Sequence, residues 1–155
     1  MAARNWDRAV QQYRKTIEMD PSVALVHDNL GVALEQSGNL EDAVQAYVQA
    51  RQASGLPNES LEELRKAYVN DGLRGFREKD LEFTLAQADR DNWEAMVIAS
   101  LYAQLGQSDA AMVWLEKAYE VRSASMVWLT IYPYFENLVS DPRFQDLLGR
   151  VGLPH

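Results

Sequence analysis

An interval of 34 residues organises this chain. Laid over Asn39–Ala50 (NLEDAVQAYVQA), the segment Asn5–Thr16 (NWDRAVQQYRKT) matches at Asn5/Asn39, Ala9/Ala43, Val10/Val44, Gln11/Gln45 and Tyr13/Tyr47. At twice that interval Gly31, Leu34, Gln36, Gly38, Ala43 and Ala50 fall on Ala99, Tyr102, Gln104, Gly106, Ala111 and Ala118. A fixed period of this length marks stacked supersecondary units, each too small to bury its apolar face alone. The recurring positions are small or bulky, which is what paired helices require. Two antiparallel helices approach closely only where Gly or Ala faces a large neighbour, so that ridges enter grooves. The small members are Gly31, Ala43, Ala99, Ala111 and Ala118; the large ones are Leu30, Leu34, Tyr47, Ile98, Tyr102 and Leu115.

Punctuation between these positions sets the helices. With only 5 Pro and 8 Gly in 155 residues, long uninterrupted helices are allowed. A first is expected from Trp6 to Met19, stopped by Asp20-Pro21, and a second after Ser22, a cap candidate, ending at Ser37-Gly38. A third spans Leu40 to Ala53 before Gly55-Leu56-Pro57. Ser60 to Glu63 has capping-box spacing and opens a fourth, ending near Asn70-Asp71-Gly72. A fifth covers Leu73 to Ala88, a sixth Asn92 to Leu105, and a seventh, capped by Ser108, reaches Val121. Beyond lie a short apolar helix at Met126–Thr130, a turn at Tyr132-Pro133, and a last helix with Asp141 at its cap, Pro142 in its first turn and Gly152 past its end.

The spacing and pattern resemble the tetratricopeptide-repeat family, whose unit of about 34 residues is a helix–turn–helix. The resemblance implies an all-α fold, an α-α superhelix or solenoid of about three and a half repeats with C-terminal capping helices. The whole chain, 1–155, is then a single repeat domain: residues 5–21 the second helix of a truncated repeat, 22–57 a repeat, 58–91 an irregular one, 92–123 a repeat, and 124–155 the cap. The middle unit is irregular because Arg65 and Arg77 stand where small residues are expected. The first helix lacks its own first-helix partner, so the chain reads as a segment of a longer protein, and its open N-terminal end as a surface for homo-oligomerisation.

From about residue 60 onward the chain looks like one branch of that family. The stretches Leu64-Arg-Lys-Ala-Tyr-Val with Gly75-Phe-Arg, LYAQLGQSDAAMVWLEKAYEVRS (Leu101–Ser123) and DPRFQDLLGRVGLP (Asp141–Pro154) resemble the repeat tails of bacterial multidomain regulators. In those proteins the tail follows a winged-helix DNA-binding, nucleotide cyclase or serine/threonine kinase domain. The resemblance implies that His155 lies at or near a natural C-terminus. Tyr132 stands where the family often has an acidic residue before Pro133.

Charge and composition exclude several functions. There are 15 basic against 23 acidic residues, a net charge of −8, which opposes the phosphate neutralisation that drives nucleic-acid binding and disfavours anionic membranes. No apolar run approaches the roughly 20 residues of a membrane span, and the N-terminus lacks a signal peptide's apolar core. The expected location is cytoplasmic, or periplasmic if the parent protein carries an upstream span. With no cysteine, thiol catalysis, disulfides and Cys-ligated metals are excluded. His27 and His155 have no partner in metal-ligand spacing, and no GxGxxG, GxxxxGK[ST] or GxSxG occurs. The chain is read as having no enzymatic activity, no metal and no cofactor.

Binding is the remaining reading. In this architecture, the resemblance implies, the first helix of each unit lines the concave face. Helical spacing turns Leu25, Asp28, Asn29, Val32 and Gln36 inward from the second helix, Glu59, Glu62, Glu63, Lys66 and Asn70 from the fourth, and Trp93, Met96, Val97, Ser100 and Gln104 from the sixth. Asp28, Glu59, Glu62 and Glu63 would form an acidic wall, and Trp93, Met96 and Val97 an apolar floor, with Trp93 as anchor. The expected partner is a basic and apolar protein or peptide segment. A carboxylate clamp of the chaperone-binding type is excluded, since Glu59 and Glu63 stand where it needs cations. The aromatic cluster Trp114, Trp128, Tyr132, Tyr134, Phe135 and Phe144 is expected as the core of the C-terminal cap, with a self-association surface as its alternative.

Overall fold

A computed structural model describes residues 5–88 and 94–154. Every regular element among them is helical: α1 (Trp6–Met19), α2 (Ala24–Gln36), α3 (Leu40–Ala53), α4 (Asn58–Gln87), α5 (Glu94–Gln104), α6 (Ser108–Glu120), 3-10 segments at Ala124–Trp128 and Pro133–Leu138, and α7 (Pro142–Val151). The fold is all-α. The chain forms two compact units, Met1–Phe76 and Arg77–His155.

In the first unit α2 packs against both α1 and α3. Gly31, Ala43 and Ala50 are buried at this packing, beside Leu30, Leu34, Val44 and Tyr47. The contact that explains the small residue is Gly31 against the Tyr47 ring: a Cβ built on Gly31 would stand 2.5 Å from Tyr47 Cε1. In the second unit α5 packs on α6, and Ala99, Ala111 and Ala118 are fully buried with Leu115. The small members of the 34-residue pattern therefore sit where helices touch, as ridge-into-groove packing demands.

The helix ends repeat as well. At Gly38 and, 68 positions on, Gly106, the backbone enters the left-handed region (φ +83° and +75°). The following N–H then reaches back to a carbonyl of the last turn, Asn39 to Leu34 and Gln107 to Tyr102, each at 2.9 Å. This is a Schellman end, and glycine takes it without a Cβ clash. The same closure after α6 places Arg122 at φ +53°, with Ser123 N–H donating to Ala118 O at 2.9 Å. A side-chain-bearing residue is strained there by roughly 1–2 kcal/mol. Arg122→Gly is expected to raise the stability of the second unit by about 0.5–1 kcal/mol, the strain relieved less glycine's extra unfolded-state entropy; urea unfolding checks it.

Three local expectations change. Ser22 does not cap α2: the Asp20 carboxylate takes both its N–H (3.0 Å) and its hydroxyl (2.6 Å), closing the Asp-Pro-Ser turn, and the helix starts after Val23. Ser60 opens no helix, because α4 is already wound from Asn58, with Leu61 N–H bonded to Pro57 O. Ser108 is the first helical residue of α6 rather than its cap, a position Gln107 holds without a side-chain bond. The fourth and fifth helices part where expected: within the span named α4 the backbone is non-helical at Asp71 and Gly72, where Gly72 turns to φ +64°. Asp141 does cap α7, accepting from Arg143 N–H at 2.9 Å, and Gly152 ends it at φ +81°. The Asn92 helix start lies outside the described residues.

The C-terminal region adds two 3-10 segments, of which Pro133–Leu138 packs on α5. Phe135, Leu138, Phe144 and Leu147 are buried with Met112, Leu115 and Leu129 in one core. The aromatic cluster thus divides. Phe135 and Phe144 face each other at 6.1 Å inside, Tyr132 and Tyr134 stack at 5.7 Å at its margin, and Trp128 stays 46% exposed.

Candidate interaction site

In the first unit the acidic residues differ in availability. Arg51 of α3 donates from Nη1 to both Asp28 carboxylate oxygens at 3.0 Å, so this charge fastens α2 to α3. Asn29 is half-buried beside it. Glu59, Glu62 and Glu63 are exposed on the first two turns of α4. Glu62 shares its charge with Arg65, one turn on, at 2.6 Å. That pair gives Arg65 a role at a position where the repeat pattern calls for a small residue.

The apolar positions turn out differently from the expectation. Val32 is buried in the first unit, and Met96 is buried with Ala99, Ala103 and Met112 in the second. Neither is a groove surface. Val97 is half-buried against Leu81, Ile98 and Leu101. Ser100 turns its hydroxyl back to Val97 O at 2.7 Å. The reason is that α5, EAMVIASLYAQ, is apolar on nearly every side, so helical spacing alone does not separate core from open face. Trp93 lies outside the described residues. His27 is buried, donating from Nε2 to Pro21 O at 2.8 Å, while its Nδ1 has no hydrogen-bond partner.

Spacing along α6 and α7 conceals a surface that the sequence reading missed. Arg143 Nη1 reaches Asp109 at 2.9 Å, and Arg150 holds Glu116 through both guanidinium Nη atoms and Asp146 through Nε at 2.8 Å. Asp109/Glu116 and Arg143/Arg150 are each seven residues apart, so two turns of one helix are clasped to two turns of the other. Between the clasps lies a groove of about 470 Å³ with Met112, Val113 and Pro142 along it and Asp109, Glu116 and Asp146 at its rim. The matched seven-residue spacing was the available signal. Arg143 also holds the Asp141 carboxyl below the usual carboxylate range, through its side-chain and then its backbone donors.

Among the described residues no group of three or more His, Asp or Glu is placed to hold a metal ion, and no helix is long and apolar enough to cross a membrane.

Antiparallel helix pairs nested through small residues, repeating at a fixed interval, define an α-α repeat protein. Two family models described as Tetratricopeptide repeat match the chain, over residues 1–57 and 96–125. Together they take in more than half of the sequence, and the chain belongs to the tetratricopeptide-repeat family. No curated protein and no solved structure matches it. Such repeats generally mediate protein–protein interaction, and proteins built from them are typically non-enzymatic.

Proposed function

We propose that this chain is a protein-interaction module whose acidic first-helix positions hold a basic and apolar segment of a partner protein. The observation that carries the reading is the exposed group Glu59, Glu62 and Glu63 at the start of α4, in a chain of net charge −8. Asn29 on α2, in the same compact unit, is half-buried next to Asp28 in sequence and is included in the contact. With Val32 buried, the apolar share of this contact is small and charge directs recognition. We place the module in the cytoplasm as part of a larger bacterial signalling or regulatory protein, a reading supported by the likeness of its last 95 or so residues to regulator tails.

Exposed ion pairs are each worth roughly 0.2–1 kcal/mol, so turning two attractions into two repulsions weakens binding by about tenfold or more. Glu59→Lys with Glu63→Lys is therefore expected to raise the Kd for an amidated lysine- and leucine-containing peptide by that factor, read by fluorescence anisotropy, with an unchanged helical circular dichroism spectrum. Added salt is expected to weaken the unsubstituted complex in the same direction. Tighter binding of a glutamate-containing peptide would defeat the reading.

A further inference from the structure

We infer that the groove between α6 and α7 receives the outer face of α1 from a second copy of the chain. The groove offers an apolar strip and one more carboxylate than guanidinium: Asp109 pairs with Arg143, while Glu116 and Asp146 share the single charge of Arg150. Val113 is 56% exposed there, a branched apolar side chain left facing solvent between two ion-pair clasps. A cationic ligand with an apolar anchor complements such a surface.

The chain itself carries that ligand. On α1 the buried side is set by Val10, and Trp6, Ala9, Tyr13 and Ile17 flank it half-buried. The opposite side presents Arg8, Lys15 and Met19, at i, i+7 and i+11, all exposed. Met19 is 87% exposed, the most open large apolar residue among those described. No ion-pair partner for Arg8 or Lys15 occurs among the described residues. In a molecule with eight excess negative charges, this is a basic stripe ending in a flexible apolar side chain able to fill an irregular groove.

Register supports the pairing. Lys15 and Met19 are four residues apart, as are Asp109 and Val113; on a helix either pair spans about 6 Å along the axis. A second copy's α1 lying parallel to α6 sets Lys15 against Asp109 while Met19 meets Val113. Asp109 keeps its bond to Arg143 and gains a second cation. The two surfaces are different patches, so the contact is heterologous: each copy uses its groove for one neighbour and its α1 for another. The inference does not rest on the peptide-binding reading, which uses α2 and the start of α4.

Two variants with one surface disabled in each test it. Val113→Glu blocks the groove and leaves α1 intact; Met19→Glu blocks α1 and leaves the groove intact. Both positions are exposed, so both variants are expected to keep the parent's circular dichroism melt. By sedimentation velocity at low salt, the parent chain is expected to exceed the 17.6 kDa of one chain as concentration rises, and each variant alone to stay monomeric. An equimolar mixture of the two variants is expected to give a species of twice the single-chain mass, because one intact groove then meets one intact α1. A parent that remains monomeric at every concentration, a variant that self-associates alone, or a mixture that stays monomeric would each overturn the inference.

Discussion

Phe144→Ala is expected to lower the stability of the second unit by about 3–5 kcal/mol, the cost of deleting a large aromatic from a packed core. The ring is 1% exposed and lies 6.1 Å from Phe135, in the core where α7 meets α6 and the 3-10 segments. It also lines a surface pocket of about 310 Å³ with Leu129, Tyr132, Val139 and Leu148, so its removal opens the core toward that pocket. Truncation costs both the lost transfer energy and the cavity left by the ring. Against a typical domain stability of roughly 5–15 kcal/mol, this is a large fraction of the whole. Trp128→Ala is the informative contrast: at 46% exposed, its loss is expected to cost less than about 1 kcal/mol. Urea unfolding followed by tryptophan fluorescence for Phe144→Ala, and by circular dichroism for both variants, gives the comparison. Equal losses would mean that the C-terminal aromatics act as one undivided cluster.

Gly31→Ala is expected to destabilise the first unit, although alanine is favoured over glycine within a helix by about 1 kcal/mol. The added Cβ would stand 2.5–2.9 Å from three carbons of the Tyr47 ring. Tyr47 has little room to withdraw. It is 6% exposed, its hydroxyl donates to Glu35 at 2.9 Å, and its ring lies 6.0 Å from Phe76. Overpacking of this kind costs about 1–3 kcal/mol, more than the helix propensity returns, so the net change is a loss. Tyr47→Leu introduced into Gly31→Ala is expected to recover part of it by clearing the space. A gain in stability from Gly31→Ala alone would show that the ring yields freely, and the close α2–α3 approach would then not depend on glycine.

Legibility followed the physics of each feature. The small residues of the 34-residue pattern were readable because a helix contact admits few residue types, and Gly31, Ala43, Ala99, Ala111 and Ala118 all proved buried. The ends at Gly38 and Gly106 were readable because a left-handed residue singles out glycine. Capping at Ser22 and Ser108 misled, since serine's short hydroxyl serves a turn as readily as a helix start, and at Ser22 a neighbouring carboxylate claimed it. Groove positions were the least legible. On α4, where charged and apolar residues alternate by face, Glu59, Glu62 and Glu63 were separated from the buried Leu61 and Leu64. On α5, apolar nearly throughout, Met96 could not be told from a surface residue by period alone. The α6–α7 groove escaped because it joins residues more than thirty positions apart, and the seven-residue spacing they share marks a contact only once the two helices are known to pack.

Resonance mapping tests most directly the claim that the acidic first-helix positions hold a basic segment. Amide spectra of the isotopically labelled chain would be recorded during titration with the amidated lysine- and leucine-containing peptide. The expected result is saturable shifts at Asn29 and along Glu59 to Glu63, fading as salt is added. Saturable shifts that leave those residues unmoved, or none at any peptide concentration, would contradict it.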